Sequence, residues 1–530
     1  MDKEKNIKPI KIEKMNRLLN IIFAVAMLFP IGSAYNSCTA ANPPRKEKKD
    51  TLAILTDKAN KGDAVAQNEL GTWYYLGKNV KQDYKTALEW FSKSAKQDNA
   101  YGIANMAMCY QFGNGIKKDT VMALKLYKSA IKRGDEKVIP KQEAKIKKSG
   151  DLFAARLLMD CYKEGIGVKR DFKKAESYQL IIAKSGDAEQ QFQYALACLN
   201  SKRSGEAAKW FKEASKSGRK EAIYYYGYLL FNGMGIEQDK VEGLKLMAKA
   251  ASQGMIAADY QIGKAYYEGN GIKKDISRAK QLLSKAAAAN KDAAWYLGLC
   301  YLEGDTIDYY HASQWLAEAA KKHEKDLNSI LSDPKYKNFQ DYILGLKKYY
   351  IDNDYEAALK LFQTVAKKGN AEGLTMQAVC LANENYAKRN TKKAIKIFEK
   401  ALAKGSHAAE YYLSSMYEVG EGMKQPDKEK ALTLLQSSAI GGIAYAQCKL
   451  GDKYFNGSGV SKDLTQAATL YLQAESQNRL TPASAKNLIS CYERGISALP
   501  DINDASKRIE ALKKTSNNTT LIDFLRAIKK

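Results

Sequence analysis

The sequence predicts an all-α chain, an α/α superhelical solenoid of about 12 helix-turn-helix repeats, on three observations. A glycine-punctuated phrase returns about every 36 residues. Apolar residues on both sides of it recur at helical spacing. The composition favours helices, with 9 Pro in 530 residues and 36 Gly that recur at intervals rather than cluster. At 45% hydrophobic the chain has enough apolar surface to build a core.

The first residues do not follow the repeat. Residues 3–17 are basic, 18–31 form an apolar run, and Gly32-Ser33-Ala34 offers small residues for cleavage, so 1–34 reads as a secretory signal peptide. The run falls short of the roughly 20 residues of a membrane span and contains Pro30, which favours export over an uncleaved anchor. Export implies a periplasmic or cell-envelope location. Membrane contact is expected only if Cys38 is lipidated, and Tyr35-Asn36-Ser37 departs from the box that such processing uses. Residues 35–50 read as a disordered linker.

From residue 51 the phrase Gly-x-Gly-(Ile/Val)-x-x-Asp organises the chain: Gly113 to Asp119, Gly165 to Asp171, Gly233 to Asp239, Gly269 to Asp275 and Gly457 to Asp463, with weaker copies at Gly77 and Gly420. Gly can end a helix in the left-handed conformation, Ile or Val can plug the turn into the core, and Asp can cap the next helix. The helix before the turn carries a stripe such as Ala66, Leu70, Gly71 and Tyr74. The one after it carries Ala87, Leu88, Phe91 and Ala95.

Leu450-Gly451, Tyr454, Gly457, Gly459-Val460 and Asp463, followed by Ala-Ala, resemble the Sel-one-like repeat, a relative of the tetratricopeptide repeat. The resemblance extends from about residue 51 to about 502. It implies an α/α solenoid acting as an interaction scaffold, with no shared catalytic residues to carry over.

Departures from the phrase suggest how the chain is divided. Residues 188–217 lack the Gly-x-Gly turn, 135–148 are a Lys-rich insertion with Pro140, and the phase breaks around Asp333-Pro334. The expected organisation is an N-terminal repeat arm at 51–322, an irregular joint at 323–341, a C-terminal repeat arm at 342–505 and a terminal capping helix at 506–530.

The net charge of +26 comes mostly from Lys spread through every repeat, which fits solvated helix faces better than the clustered Arg of specific nucleic-acid recognition. Cys109, Cys161, Cys300 and Cys491 occupy one column of the first helix, facing the core. Repeats about 10 Å apart cannot join such positions by disulfides. His311, His323 and His407 are dispersed without metal-ligand spacing, and no Gly phrase is followed by the Lys-Ser/Thr pair of a phosphate loop. Neither a metal nor another cofactor is expected.

What remains is the first-helix column opposite the core stripe. In three successive repeats it reads Tyr224, Tyr228, Phe231; Tyr260, Lys264, Tyr267; and Trp295, Leu299, Leu302. Aromatic residues gathered on an open, concave face are the substance of binding hot spots, and packing within the protein is the competing use of the same column. The expected function is therefore an exported, non-enzymatic scaffold whose concave face binds a protein or peptide, or a cell-envelope glycan. The alternative is an envelope enzyme or glycan-modifying factor that draws carboxylates from several repeats.

Overall fold

In the second repeat, Gly113 adopts φ 78° and ends its helix, and its N–H donates to Cys109 O at 2.8 Å. Gly115 follows at φ 75°. The chain then extends to Asp119, whose N–H returns to Tyr110 O at 2.9 Å while its carboxylate accepts from Met122 N at 2.8 Å. One residue thus closes the turn and caps the next helix. The same amide bond joins Asp83 to Tyr74, Asp171 to Tyr162, Asp239 to Leu230, Asp275 to Tyr266 and Asp463 to Tyr454. In the first repeat Asn79 replaces the second glycine at φ 60°, a conformation that Asn tolerates better than most residues.

This computed structural model describes residues 45–303, 307–496, 510, 512 and 520–528, and every element among them is helical. The expected signal peptide, Cys38 and most of the segments 35–50 and 506–530 lie outside the described residues. The expected linker is helical from Arg45 onward.

The chain divides into two compact units between Ala222 and Ile223. The first contains α1 (Arg45–Asn60) and the hairpins α2/α3 (Ala64–Leu76, Tyr84–Lys96) and α4/α5 (Ala100–Phe112, Thr120–Lys132). It continues with α6 (Val138–Ser149), then α7/α8 (Leu152–Glu164, Phe172–Ala183) and α9/α10 (Ala188–Asn200, Ser204–Ser215). The division falls within α11 (Lys220–Asn232), which pairs with α12 (Lys240–Ser252). There follow α13/α14 (Ile256–Glu268, Ile276–Ala287), α15/α16 (Lys291–Leu302, Tyr309–Ala319), the short α17 (Glu324–Ile330) and a 3-10 turn at Pro334–Tyr336. Next come α18/α19 (Lys337–Tyr350, Tyr355–Lys367), α20/α21 (Ala371–Ala382, Thr391–Leu402), α22/α23 (His407–Val419, Lys428–Ile440) and α24/α25 (Ala444–Asn456, Leu464–Glu475). The last are α26 (Pro482–Glu493) and α27 (Thr520–Ala527).

Within a hairpin the two helices meet through a glycine. A Cβ at Gly71 would lie 2.7 Å from Phe91 Cδ1, at Gly263 2.8 Å from Leu283 Cγ, and at Gly451 2.6 Å from Tyr471 Cε1. The missing side chain is the space into which the partner helix inserts its largest residue. Phe91, Leu283 and Tyr471 are fully buried as a result, each burial contributing about 1.5–3 kcal/mol. Ser94 Oγ donates to Ala64 O at 2.6 Å within its hairpin and, at the contact with the next repeat, leaves room only for a glycine at position 102.

The structure adds detail at the departures from the phrase. The insertion at 135–148 is not merely a longer connection: it forms α6, whose buried Val138 and Ile139 join the core of the first unit and whose Pro140 sits in the tolerant first turn. Residues 323–341 contribute Leu327, Ile330 and Phe339 to the core of the second unit. α26 covers the α24/α25 hairpin, with Leu512 in the same cluster, and α27 packs against α16 and α18. Where the Gly-x-Gly phrase is missing, Lys202 at φ 61° turns the chain, and Arg203 pairs with Glu206 and Glu176.

Candidate functional site

The second unit curls back upon itself. Turns between its later repeats reach its earlier helices: Asn478 Nδ2 donates to Ala288 O at 3.0 Å, Arg479 Nη2 to Gln314 O at 3.3 Å, and His311 Nε2 lies 3.5 Å from Gly442 O. α16 is enclosed from end to end in consequence. Its Tyr310 and Gln314 face a groove walled by α18, α20, α22 and the start of α24.

Tyrosine dominates that groove. Tyr310, Tyr350, Tyr411, Tyr412 and Tyr445 surround a cavity of about 130 Å³, with Arg479 at its edge and Leu521 and Ile522 of α27 closing one side. Arg479 is only 6% exposed and lies 3.9 Å from the equally buried Glu318, which Lys291 contacts at 2.6 Å.

Below the groove lies a buried titratable group. His311 Nδ1 meets Asp308 Oδ2 at 2.6 Å, and Asp308 also caps α16. Burial works against charge on both, and their mutual attraction wins: the imidazole is held above its ordinary range and the carboxylate below it. Glu372 takes the opposite course. Burial first, and then the nearby Asp308 charge, push it up to about 7. His311 and Asp308 belong to the first turn of α16 and its cap, whereas Glu372, on α20, lines the inner part of the groove.

The structure treats the nine expected binding residues unequally. Phe231, Trp295 and Leu302 are buried, at 7%, 7% and 6% exposure, and leave the accessible face. Phe231 lies under the next repeat's turn, its Cε2 3.4 Å from a Cβ placed at Gly271. Trp295 stacks on His323, with ring centroids 4.9 Å apart, because the out-of-phase segment after α16 folds over it. All three belong to the core of the second unit, because rotation around a single helix does not anticipate what the following segments cover.

The other six are half-buried. Tyr224 and Tyr228 have ring centroids 6.1 Å apart. Tyr260 and Tyr267 both approach Tyr296, at 6.4 Å and 5.5 Å, and Lys264 lies 5.3 Å over the same ring. Tyr267 donates to Glu303 at 3.0 Å, and Leu299 packs at the side of the core. Tyr296, one residue off the expected column, was missed although it joins two expected members.

The groove of the second unit was missed for a different reason. Tyr411 occupies the same column as Tyr224 and Tyr260, counted back from the turn glycine Gly420, but α18 and α20 end without a Gly-x-Gly phrase. Their turns use Asn353 at φ 54° and the extended Asn383. With no turn glycine to count from, Tyr342 and Tyr350 could not be placed.

Cys109, Cys161, Cys300 and Cys491 are free and buried, as their column implies, and Cys198, Cys380 and Cys448 are free and buried as well. No helix among the described residues is long and apolar enough to cross a membrane.

Comparison with known proteins agrees with this repeat. Human protein sel-1 homolog 2 is 37% identical over 103 residues, 19% of this chain and 15% of that protein. The Arabidopsis thaliana ERAD-associated E3 ubiquitin-protein ligase component HRD3B is 28% identical over 120 residues, 17% of this chain and 20% of that one. An exopolysaccharide production negative regulator from Rhizobium leguminosarum is 29% identical over 176 residues, 32% of this chain and 61% of that protein. The chain thus spans less than two thirds of each of these relatives. Among solved structures, the protective antigen c5321 of uropathogenic Escherichia coli, described as an SLR fold, is 23% identical, with TM-score 0.33 over 90% of this chain and 98% of that one. A Sel1 repeat protein from Oxalobacter formigenes is 20% identical, with TM-score 0.31 over 74% and 99%.

The Sel1 repeat profile matches eleven segments: 64–99, 100–135, 154–187, 191–218, 220–255, 256–291, 291–323, 342–370, 378–406, 407–442 and 444–478. These coincide with the eleven hairpins from α2/α3 to α24/α25, against the dozen expected. They take in more than half of the chain, and the protein belongs to the Sel1 repeat family.

Proposed function

We propose that this protein is an exported, non-catalytic scaffold that captures a protein partner in the cell envelope through the tyrosine ladder of the second unit. The observation that carries the reading is the half-buried run Tyr224, Tyr228, Tyr260, Tyr267 and Tyr296, which crosses three successive repeats with Lys264 among the rings. Half-exposed tyrosines offer a large, stiff contact area with a polar tip, at little entropic cost on binding. Export is supported by the basic and apolar residues of 1–34. The test is quantitative cross-linking and affinity capture from the native envelope, comparing wild type with Tyr224→Ala/Tyr260→Ala/Tyr267→Ala. A scaffold loses a stoichiometric partner while its helical circular dichroism is retained. An unchanged capture profile, or a chain that fails to reach the envelope, overturns the proposal.

A further inference from the structure

α27 occupies a groove that it does not fill. Leu521, Phe524, Leu525 and Ile528 recur at i, i+3, i+4 and i+7; Phe524 and Leu525 are buried and the other two half-buried, while Asp523 and Arg526 pair on the exposed side. The receiving walls are already paired within their own hairpins, α16 with α15, α18 with α19 and α22 with α23, so they do not need α27 in order to form. Lys347 Nζ donates to Ile528 O, placing a cation at the C-terminal end of the docked helix. An eight-residue helix does not persist alone in water, so docking is what holds it.

Two features remain unanswered by α27. The cavity of about 130 Å³ borders Leu521 and Ile522, and its tyrosine walls would accept a larger side chain than leucine. Gln314, nine-tenths buried, lines the same cavity, and its Oε1 has no hydrogen-bond partner among the described residues. A ligand that suits this groove is therefore helical, apolar along one stripe, and carries a hydrogen-bond donor on a bulky group at the position of Leu521. With a net charge of +26 on the chain, a partner whose outer face carries carboxylates is favoured in encounter.

We propose that this groove is the receptor for an amphipathic helix of a partner protein, acidic on its outer face and bearing an indole-like ring where Leu521 lies, with α27 as its built-in stand-in. The proposal rests on the scaffold reading and adds the chemistry of one binding element.

The test uses the full chain and its Phe524→Asp/Leu525→Asp variant, which drives α27 out by placing carboxylates in the apolar wall. The probes are two fluorescein-labelled peptides read by anisotropy: the sequence of residues 519–530, and the same peptide with Leu521→Trp and Arg526→Glu. The variant should bind the first peptide at least tenfold tighter than wild type does, and the second at least tenfold tighter than the first. A variant that keeps its helical circular dichroism yet binds neither peptide overturns the proposal, as does equal binding by wild type and variant. If the variant does not fold, amide exchange of the wild type decides. Opening of α27 at least 100-fold more often than α16 and α18 supports a displaceable helix, whereas exchange at their rate makes α27 core and ends the proposal. Peptides that fail while envelope capture through the tyrosine ladder persists leave the scaffold reading standing without this receptor.

Discussion

Gly115→Ala separates two reasons why the second turn glycine is needed. At φ 75° any L-residue is strained by about 1–2 kcal/mol. At Gly115 the added Cβ would also lie 2.3 Å from Tyr84 O and 2.6 Å from Tyr84 C, atoms of the preceding repeat's backbone that cannot swing aside. Relieving that overlap means shifting the turn against α3, which adds about 1–3 kcal/mol as overpacking does elsewhere. Gly459 is the control: it has φ 77°, but nothing lies within 4 Å of its Cβ position, so Gly459→Ala carries the backbone strain alone. Native-state hydrogen exchange by mass spectrometry reads each repeat locally, which a global melting curve of a repeat protein does not. Protection around Gly459→Ala should fall about tenfold, and around Gly115→Ala by 100-fold or more, at about 1.4 kcal/mol per tenfold. Equal effects at the two sites would refute the claim that this glycine is where one repeat rests on the one before it.

Two further expectations follow from burial. Cys109, Cys161, Cys300 and Cys380 are each pushed up to about 12 by burial, so alkylation with iodoacetamide at pH 8 should label them only after denaturation; a disulfide between any two of them in the non-reduced protein would contradict the core column. The second unit should lose stability as pH rises. Glu372 titrates at about 7 in the fold against an ordinary 4.5, so its contribution is present below 4.5 and lost up to about 7. His311 and His407, both held above 6.5 in the fold, lose theirs as pH climbs past that value, whereas Asp308, held below 3.8, weakens the fold only in strong acid. The urea midpoint of Glu372→Gln should therefore overtake that of the wild type between pH 5 and 7. A difference that is constant with pH would mean that Glu372 is not held protonated.

The repeat was legible in the sequence because its signals are local. Gly113, Ile116 and Asp119 each act within one turn, and the turn closes as their spacing implied. The core stripe was equally legible, since Phe91 and Ala87 must face the same side of one helix. What sequence reasoning lost is what one segment does to a distant one. Trp295 is covered by His323, Arg479 reaches Gln314 across 165 positions, and α27 settles against α16. No periodic pattern encodes those encounters. α6 was recoverable: Val138, Ile139, Gln142 and Ile146 fall on one helical face, but the surrounding lysines masked it.

The solenoid depends most on each glycine phrase being a helix-to-helix turn closed by its Asp. Residue-resolved amide exchange of Asp83, Asp119, Asp171, Asp275 and Asp463 in the wild-type chain tests this directly. These amides should be protected as strongly as the mid-helix amides of their own hairpins, since each donates to a first-helix carbonyl at 2.9–3.0 Å. Exchange at the rate of open loops at all five would contradict it.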